Sequence, residues 1–315
     1  MILKIKKALH NSLNLGRFGR YVRAIVQEKT KEIRTTIVKV GLKRRLAYLC
    51  KESGITDEKT CEHDVIVSLT SYGKRICDVY WTIESLMQQT IKPNKIILWL
   101  AEDEFNLGNI PQTLKKLQKR GLTIEFCEDI RSYKKLVPAL LKYPDDIIIT
   151  VDDDIIFGLD FVERLLKSYK ENPECIHFLR GERITFKGDF LLSYNHWDNH
   201  WDTDINEVSI LNFPTGGAGV LYPPNSLHKE VTNKEVFMKL CPTADDVWFK
   251  SMSLLKGTLC KKTFTRSSTD PGFIFMDGKN QLETTLMSIN VFKNDEQIKA
   301  VFEKYNICKL LNDGE

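Results

Sequence analysis

Between Asp64 and Lys170 the chain alternates four times between a short, predominantly apolar run and a stretch with helical periodicity, and that alternation constrains the fold class. The apolar runs cover residues 65–69, 95–101, 123–127 and 146–151. The helical stretches cover residues 76–89, 111–120, 134–142 and 160–170; in the first, Ile76, Val79, Tyr80, Ile83, Leu86 and Met87 recur on one face. Strands that are apolar at every position are buried on both sides, which a parallel sheet achieves when its crossover helices cover both faces. Ligands of such sheets bind beyond the carboxyl ends of the strands. Thr70-Ser71-Tyr72, Glu102-Asp103, Glu128-Asp129 and Asp152-Asp153-Asp154 all fall on that edge, so the ligand site is expected there.

With 315 residues, the chain has room for one large α/β domain and an appendage. The appendage is visible in the charge. Residues 1–60 carry 15 Lys/Arg against 5 Asp/Glu, a net +10, whereas the remainder carries a net −6. Ile5, Leu9, Leu13, Val22, Ile25, Val26, Ile33, Ile37 and Val40 recur at helical spacing among the cations. The pattern predicts a basic helical arm that lies on an anionic membrane surface or packs on a partner. The longest aliphatic or aromatic run, Ile96 to Ala101, has six residues, far short of the roughly 20 of a membrane span. The N-terminus lacks the apolar core and cleavage site of a secretory signal. Eight scattered cysteines without C-x-x-C pairs point to a reducing cytosol and no structural metal. A cytoplasmic protein, held at the inner membrane face by its arm, is therefore expected.

The Asp triplet carries the sharpest chemistry. Three adjacent carboxylates at the end of a buried strand repel one another and call for a cation; Mg2+ or Mn2+ takes hard oxygen ligands and keeps phosphate oxygens in its shell. By strand alternation Asp152 and Asp154 project to one side and Asp153 to the other. A second acidic group, Asp245-Asp246, opens the helix expected at residues 244–255, with Thr243 as its cap. There it either serves the helix dipole or supplies a general base. Gly216-Gly217-Ala218-Gly219 is a turn, or a wall that lets a ligand approach backbone. The run from Tyr194 to Asp202, with Trp197 and Trp201, offers aromatic faces for sugar rings. Arg131, Lys134, Lys135, Lys74 and Arg75 put cations on the ligand edge, where they meet phosphate or solvent.

These residues together resemble nucleotide-sugar-dependent glycosyltransferases of the GT-A fold, in particular the bacterial enzymes that build capsular and lipopolysaccharide glycans. The matching stretches are VIVSLTSYGKR at 65–75, IRSYKKLVPALLKYPDDIIITVDDD at 130–154, GGAGVLY at 216–222 and ADDVWF at 244–249, within a region spanning about 62–305. The resemblance implies a Rossmann-like, mostly parallel sheet flanked by helices. Beyond the basic arm (1–60), which lies outside the resemblance, it divides the chain into a nucleotide-sugar-binding α/β half (61–175) and an acceptor-binding and catalytic half (176–315). It implies Asp152 and Asp154 as the metal ligands, with Mn2+ or Mg2+ as cofactor. Thr70, Tyr72, Arg75, Asp129, Lys134, Asp152 and Asp153 are implied as the nucleotide-sugar site, and Trp197, Trp201, Gly216 and Gly217 as the acceptor site. Asp246, with Asp245 beside it, is the implied base of an inverting transfer from a UDP-sugar to a glycan or lipid-linked acceptor. No C-terminal His stands where some GT-A enzymes supply a third metal ligand; either Asn290 or the Asn294-Asp295 turn substitutes, or phosphate and water complete the shell.

Other readings remain at the sequence level. A nucleotidyltransferase on the same sheet would release pyrophosphate, and a phosphohydrolase would need its Asp-x-Asp after the first strand. A non-catalytic assembly factor would bind nucleotide-sugar or glycan without turnover. Nucleic acid is not an expected partner, because the acidic body offers no second basic patch.

Overall fold

The computed structural model describes residues 52–199, 207–263, 272–276 and 286–312, together with six helical positions between Lys29 and Gly41. The chain forms two compact units, Met1–Cys50 and Lys51–Glu315. In the first, the described positions are helical and Ile33, Ile37 and Val40 are exposed. The rest of the expected arm lies outside the described residues.

The second unit opens with the alternation seen in the sequence. Strand β1 (Val65–Thr70) leads through a 3-10 turn (Gly73–Cys77) to α1 (Tyr80–Met87), then β2 (Lys95–Ala101), α2 (Gln112–Gln118) and β3 (Leu122–Cys127). A second 3-10 turn (Arg131–Lys135) precedes α3 (Val137–Lys142) and β4 (Ile147–Thr150); β5 (Ile155–Phe157) and α4 (Phe161–Glu171) follow. Short strands come next: β6 (Ile176–Phe178), β7 (Gly181–Arg183), β8 (Phe186–Lys187), β9 (Phe190–Leu191), β10 (Asp198–Asn199), β11 (Val208–Ser209), β12 (Asn212–Pro214) and β13 (Val220–Tyr222). The chain continues with α5 (Lys234–Leu240), α6 (Asp245–Lys256), β14 (Cys260–Lys262), β15 (Phe273–Phe275), α7 (Leu286–Tyr305) and α8 (Ile307–Asn312).

Eight strands form the main sheet in the order β11-β14-β6-β13-β4-β1-β2-β3. Strands β4, β1, β2 and β3 run parallel, β13 lies antiparallel between β4 and β6, and β14 is again parallel to β6. The sheet is thus the mostly parallel, helix-flanked, Rossmann-like arrangement that the alternation predicts. Its strands read as continuous apolar runs because alternate residues feed two cores. Ile66, Ile97 and Ile148 pack with α3, α6 and α7, while Val65, Val67, Ile147 and Ile149 pack with α1, α2 and α4.

The structure departs from the expected elements in four places. The helix expected over 76–89 and the one over 134–142 each begin as a 3-10 turn, which aims Arg75 and Lys135 separately from the helix that follows. The triplet runs into a further strand, since β5 pairs antiparallel with β15, and the distance in sequence from Phe157 to its partner Phe273 hides the pairing from local pattern. Thr243 does not cap α6: its N–H and hydroxyl meet Gln297 Oε1 at 3.0 and 3.3 Å, and Ala244 takes the cap position.

Candidate active site

The triplet sits at the carboxyl end of β4, and its backbone is fastened at every residue. The Asp152 N–H donates to Gly217 O at 3.4 Å, Thr82 Oγ1–H donates to Asp153 O at 3.0 Å, and the Met276 N–H donates to Asp154 O at 2.7 Å. The side chains then divide. Asp153 is buried, with Ser71 Oγ–H donating to Oδ2 at 2.6 Å and the Arg75 guanidinium gripping both oxygens through Nε and Nη2. Arg75 Nη2 also pairs with Asp154 Oδ2 at 3.0 Å, and Asp154 keeps 25% of its side chain exposed. Asp152, at 39%, pairs with Lys135 Nζ at 3.0 Å. Asp152 and Asp154 therefore reach solvent and Asp153 does not, the expected division, although β4 ends at Thr150 and Asp153 and Asp154 lie in a turn instead of a strand.

Each carboxyl titrates according to its surroundings. Burial works against the Asp152 carboxylate, but Lys135, Arg75 and Arg180 overcome it and hold the group below its usual range. Burial raises Asp153 despite Arg75 and Ser71. Burial, then repulsion from Asp152 and Asp153, pushes Asp154 up to about 6.

The acidic pair of α6 reaches the same place. Lys135 Nζ lies 3.0 Å from Asp245 Oδ2 as well as 3.0 Å from Asp152 Oδ1, so one buried ammonium bridges the two acidic groups. Desolvation opposes its charge, yet Asp152, Asp245 and Asp246 keep it firmly protonated. Its backbone is held too: Ser68 Oγ–H donates to Lys135 O at 2.6 Å, and Trp99 Nε1–H donates to Ser68 Oγ at 2.9 Å. Asp246 Oδ1 accepts the Gly216 N–H at 2.9 Å. Burial and the Asp245 charge raise the Asp246 carboxyl to about 7 against the pull of Lys135. The glycines let these groups come close: a Cβ on Gly216 would lie 2.6 Å from Lys135 Nζ and 2.7 Å from Asp246 Oδ1, and one on Gly217 would lie 3.1 Å from Asp152 Oδ2, so a side chain at either position would push the charged tips aside.

Other expected site residues line the edge at varying distance from this cluster. Thr70 Oγ1–H donates to Trp99 O at 2.8 Å, and the Arg75 guanidinium stands 5.3 Å from the Tyr72 ring centre. Lys134 turns away from the triplet and pairs with Asp129, whose Oδ1 also accepts the Arg131 N–H at 2.9 Å. Trp197 is 5% exposed; its indole packs against Tyr194 and Phe213 and donates to Leu192 O at 2.9 Å, so the protein itself takes the face expected for a sugar. Trp201 lies outside the described residues, as does the side chain of Asn290. Asp295 Oδ1 accepts the Tyr194 N–H at 2.7 Å, and Asn294 is buried.

Lys135 and Arg180 are the residues whose importance sequence reasoning missed. Lys135 was one of several edge cations, and adjacent positions of a 3-10 turn point some 120° apart, so only one of Lys134 and Lys135 could reach the triplet. Arg180 follows β6, and its charge interacts with Tyr194, Glu182, Asp246 and Asp152. Glu182 beside it is raised by burial to about 7. The signal for Arg180 and Glu182 was the Arg-Gly-Glu-Arg run at 180–183 that closely follows β6.

Asp152 and Asp154 offer hard oxygen donors that solvent reaches. Among the described residues no three acidic, His or Cys side chains converge on one point as a closed metal cage. A divalent cation on these two carboxylates would need its remaining ligands from elsewhere, such as a diphosphate and water.

No family model matches the chain, and no curated protein does. Among solved structures it is similar to residues 1–349 of S. aureus TarS, at 13% identity and a TM-score of 0.44, over 64% of this chain and 57% of that one. It is also similar to the mannosyltransferase PcManGT from Pyrobaculum calidifontis in complex with GDP-Man and Mn2+, at 14% identity and a TM-score of 0.40, over 76% of this chain and 65% of that one. A third similar structure is a CMP:2-keto-3-deoxy-manno-octonic acid synthetase complexed with CTP, at 12% identity and a TM-score of 0.36, over 63% of this chain and 88% of that one. All three scores lie below one half, and the functional reading rests on the side chains of the sheet edge.

Proposed function

We propose that this chain is a divalent-metal-dependent glycosyltransferase. It moves a sugar from a nucleotide diphosphate donor, a UDP-sugar, to a hydroxyl of a glycan or lipid-linked oligosaccharide in bacterial surface polysaccharide synthesis. One observation carries the reading: the triplet and the acidic pair, 91 residues apart, meet at the ligand edge of a parallel sheet through one lysine.

The donor occupies the side of Thr70, Tyr72 and Asp129. Asp154, assisted by Asp152, holds the cation, which when bound neutralises the departing diphosphate. Asp153 does not touch donor in this reading; with Ser71 and Arg75 it fixes the direction of its two neighbours. Asp246 takes the proton of the acceptor hydroxyl as that oxygen bonds to the sugar's anomeric carbon and the carbon–phosphate oxygen bond breaks. Its raised pKa sets it near working pH, and the Gly216 N–H fixes one of its oxygens, leaving the other for the acceptor. A single base on the face opposite the leaving group gives inversion. Arg180 and Tyr194, not Trp197, stand beside Asp246 on the acceptor side.

The arm rests on the cytoplasmic face of an anionic membrane, where lipid-linked acceptors lie. At about 1 kcal/mol per basic residue near the surface, its charge is ample. Among the described residues no helix is long and apolar enough to cross a membrane.

The test is titration calorimetry of UDP with and without Mn2+, on wild type and Asp154→Asn, followed by turnover of a panel of UDP-sugars. Metal-dependent UDP binding that the substitution abolishes is the expected result. Metal-independent binding that survives it would remove the triplet from the donor site.

A further inference from the structure

Every carboxylate of the triplet already has an internal cation. Arg75 serves Asp153 and Asp154, and Lys135 serves Asp152. The two cations differ in what anchors them. Arg75 is locked bidentately on buried Asp153, so its hold on Asp154 is incidental to a fixed structural pair. Lys135 has a choice. Its ammonium sits between two carboxylates at equal 3.0 Å distances, one in the triplet and one on α6, with its backbone clamped by Ser68 and its tip against the Cβ-less Gly216.

We infer that Lys135 is a positioning residue that acts as a tethered counter-cation: it occupies Asp152 until a metal–diphosphate complex claims that carboxylate, and then remains paired with Asp245. The inference rests on the donor-site reading above and adds a binding order to it. A free dication arriving alone must compete with an ammonium only 5% exposed, in surroundings where desolvated charge pairs are strong. A dication arriving with a diphosphate brings its own anionic ligands, and the phosphate charge compensates the ammonium it displaces. Because Asp245 retains Lys135, no buried cation is stranded by the exchange. The α6 pair is thereby kept in register with the donor site in both states.

The test needs neither acceptor nor turnover. Binding of Mn2+ to the full chain is followed by the loss of the free-ion electron paramagnetic resonance signal, with and without UDP, for wild type, Lys135→Met and Gly216→Ala. Gly216→Ala keeps every charge but drives a methyl into the ammonium, so it reports even if Lys135→Met fails to fold. Wild type is expected to bind Mn2+ weakly alone and at least about tenfold more tightly with UDP, a coupling in the usual range for linked ligands. Both variants are expected to bind Mn2+ alone about tenfold more tightly than wild type and to lose most of the UDP enhancement. Variants that bind Mn2+ alone no better than wild type, while UDP still enhances binding, would overturn the role of Lys135 and leave the donor site standing. Absence of Mn2+ binding under every condition would overturn the donor-site reading itself.

Discussion

Replacing Asp246 by Asn should make the protein more stable and less active, and the stability gain should depend on pH in a way the site fixes. In the folded chain burial and Asp245 raise the Asp246 carboxyl from 3.8 to about 7. Between those values the folded state holds a proton that the unfolded state has released, so this group's contribution falls as pH rises and is fully unfavourable above pH 7. From pH 5 to the folded pKa is about two units, worth about 2.7 kcal/mol at 1.36 kcal/mol per unit. Part of this is shared with Asp245 and Asp152, which leaves about 2 kcal/mol. The stability difference between Asp246→Asn and wild type should therefore grow in the variant's favour by about 2 kcal/mol from pH 5 to pH 8, or about 5 °C in melting temperature for a unit of this size. Scanning calorimetry of both proteins in chelator, without nucleotide, reads this directly, and the Asn side chain keeps an oxygen for the Gly216 N–H. Transfer activity should fall about 100-fold or more, the ordinary contribution of a general base. A difference that stays constant with pH, or shrinks, would refute the placement of a raised carboxyl at the site.

Three further outcomes follow from contacts elsewhere. Arg120→Met leaves Glu84, which is fully buried and 2.6 Å from the guanidinium, without its partner cation; a loss of about 3–5 kcal/mol in urea unfolding is expected. Gly219→Ala places a Cβ 2.4 Å from Phe161 Cε2 at a φ of +107°, so strain and clash together should destabilise by about 3 kcal/mol in the same assay. Deleting residues 1–50 should abolish sedimentation with anionic vesicles while leaving the melting temperature of the α/β unit in place; unchanged sedimentation would remove the membrane role of the arm.

Residues close in sequence made much of this molecule legible. The apolar runs at 65–69, 95–101 and 146–151 declare strands covered on both faces, because the strand period of two sends neighbours into opposite cores, and both cores are visible in the chain as runs dominated by apolar residues. From that came the parallel sheet and the part-exposed Asp152 and Asp154 on either side of a buried Asp153. Partner choice across the fold was not legible. That Lys135 rather than Lys134 meets the triplet, that Trp197 is packed against Tyr194 and Phe213 instead of facing solvent, and that Asp245 lies as close to Lys135 as Asp152 does all depend on sheet order and on the aim of a 3-10 turn. Local periodicity reports which side of an element is buried; the pairing of charges far apart in sequence is settled only when the strands between them take their places, because burial then leaves each charge few partners within reach.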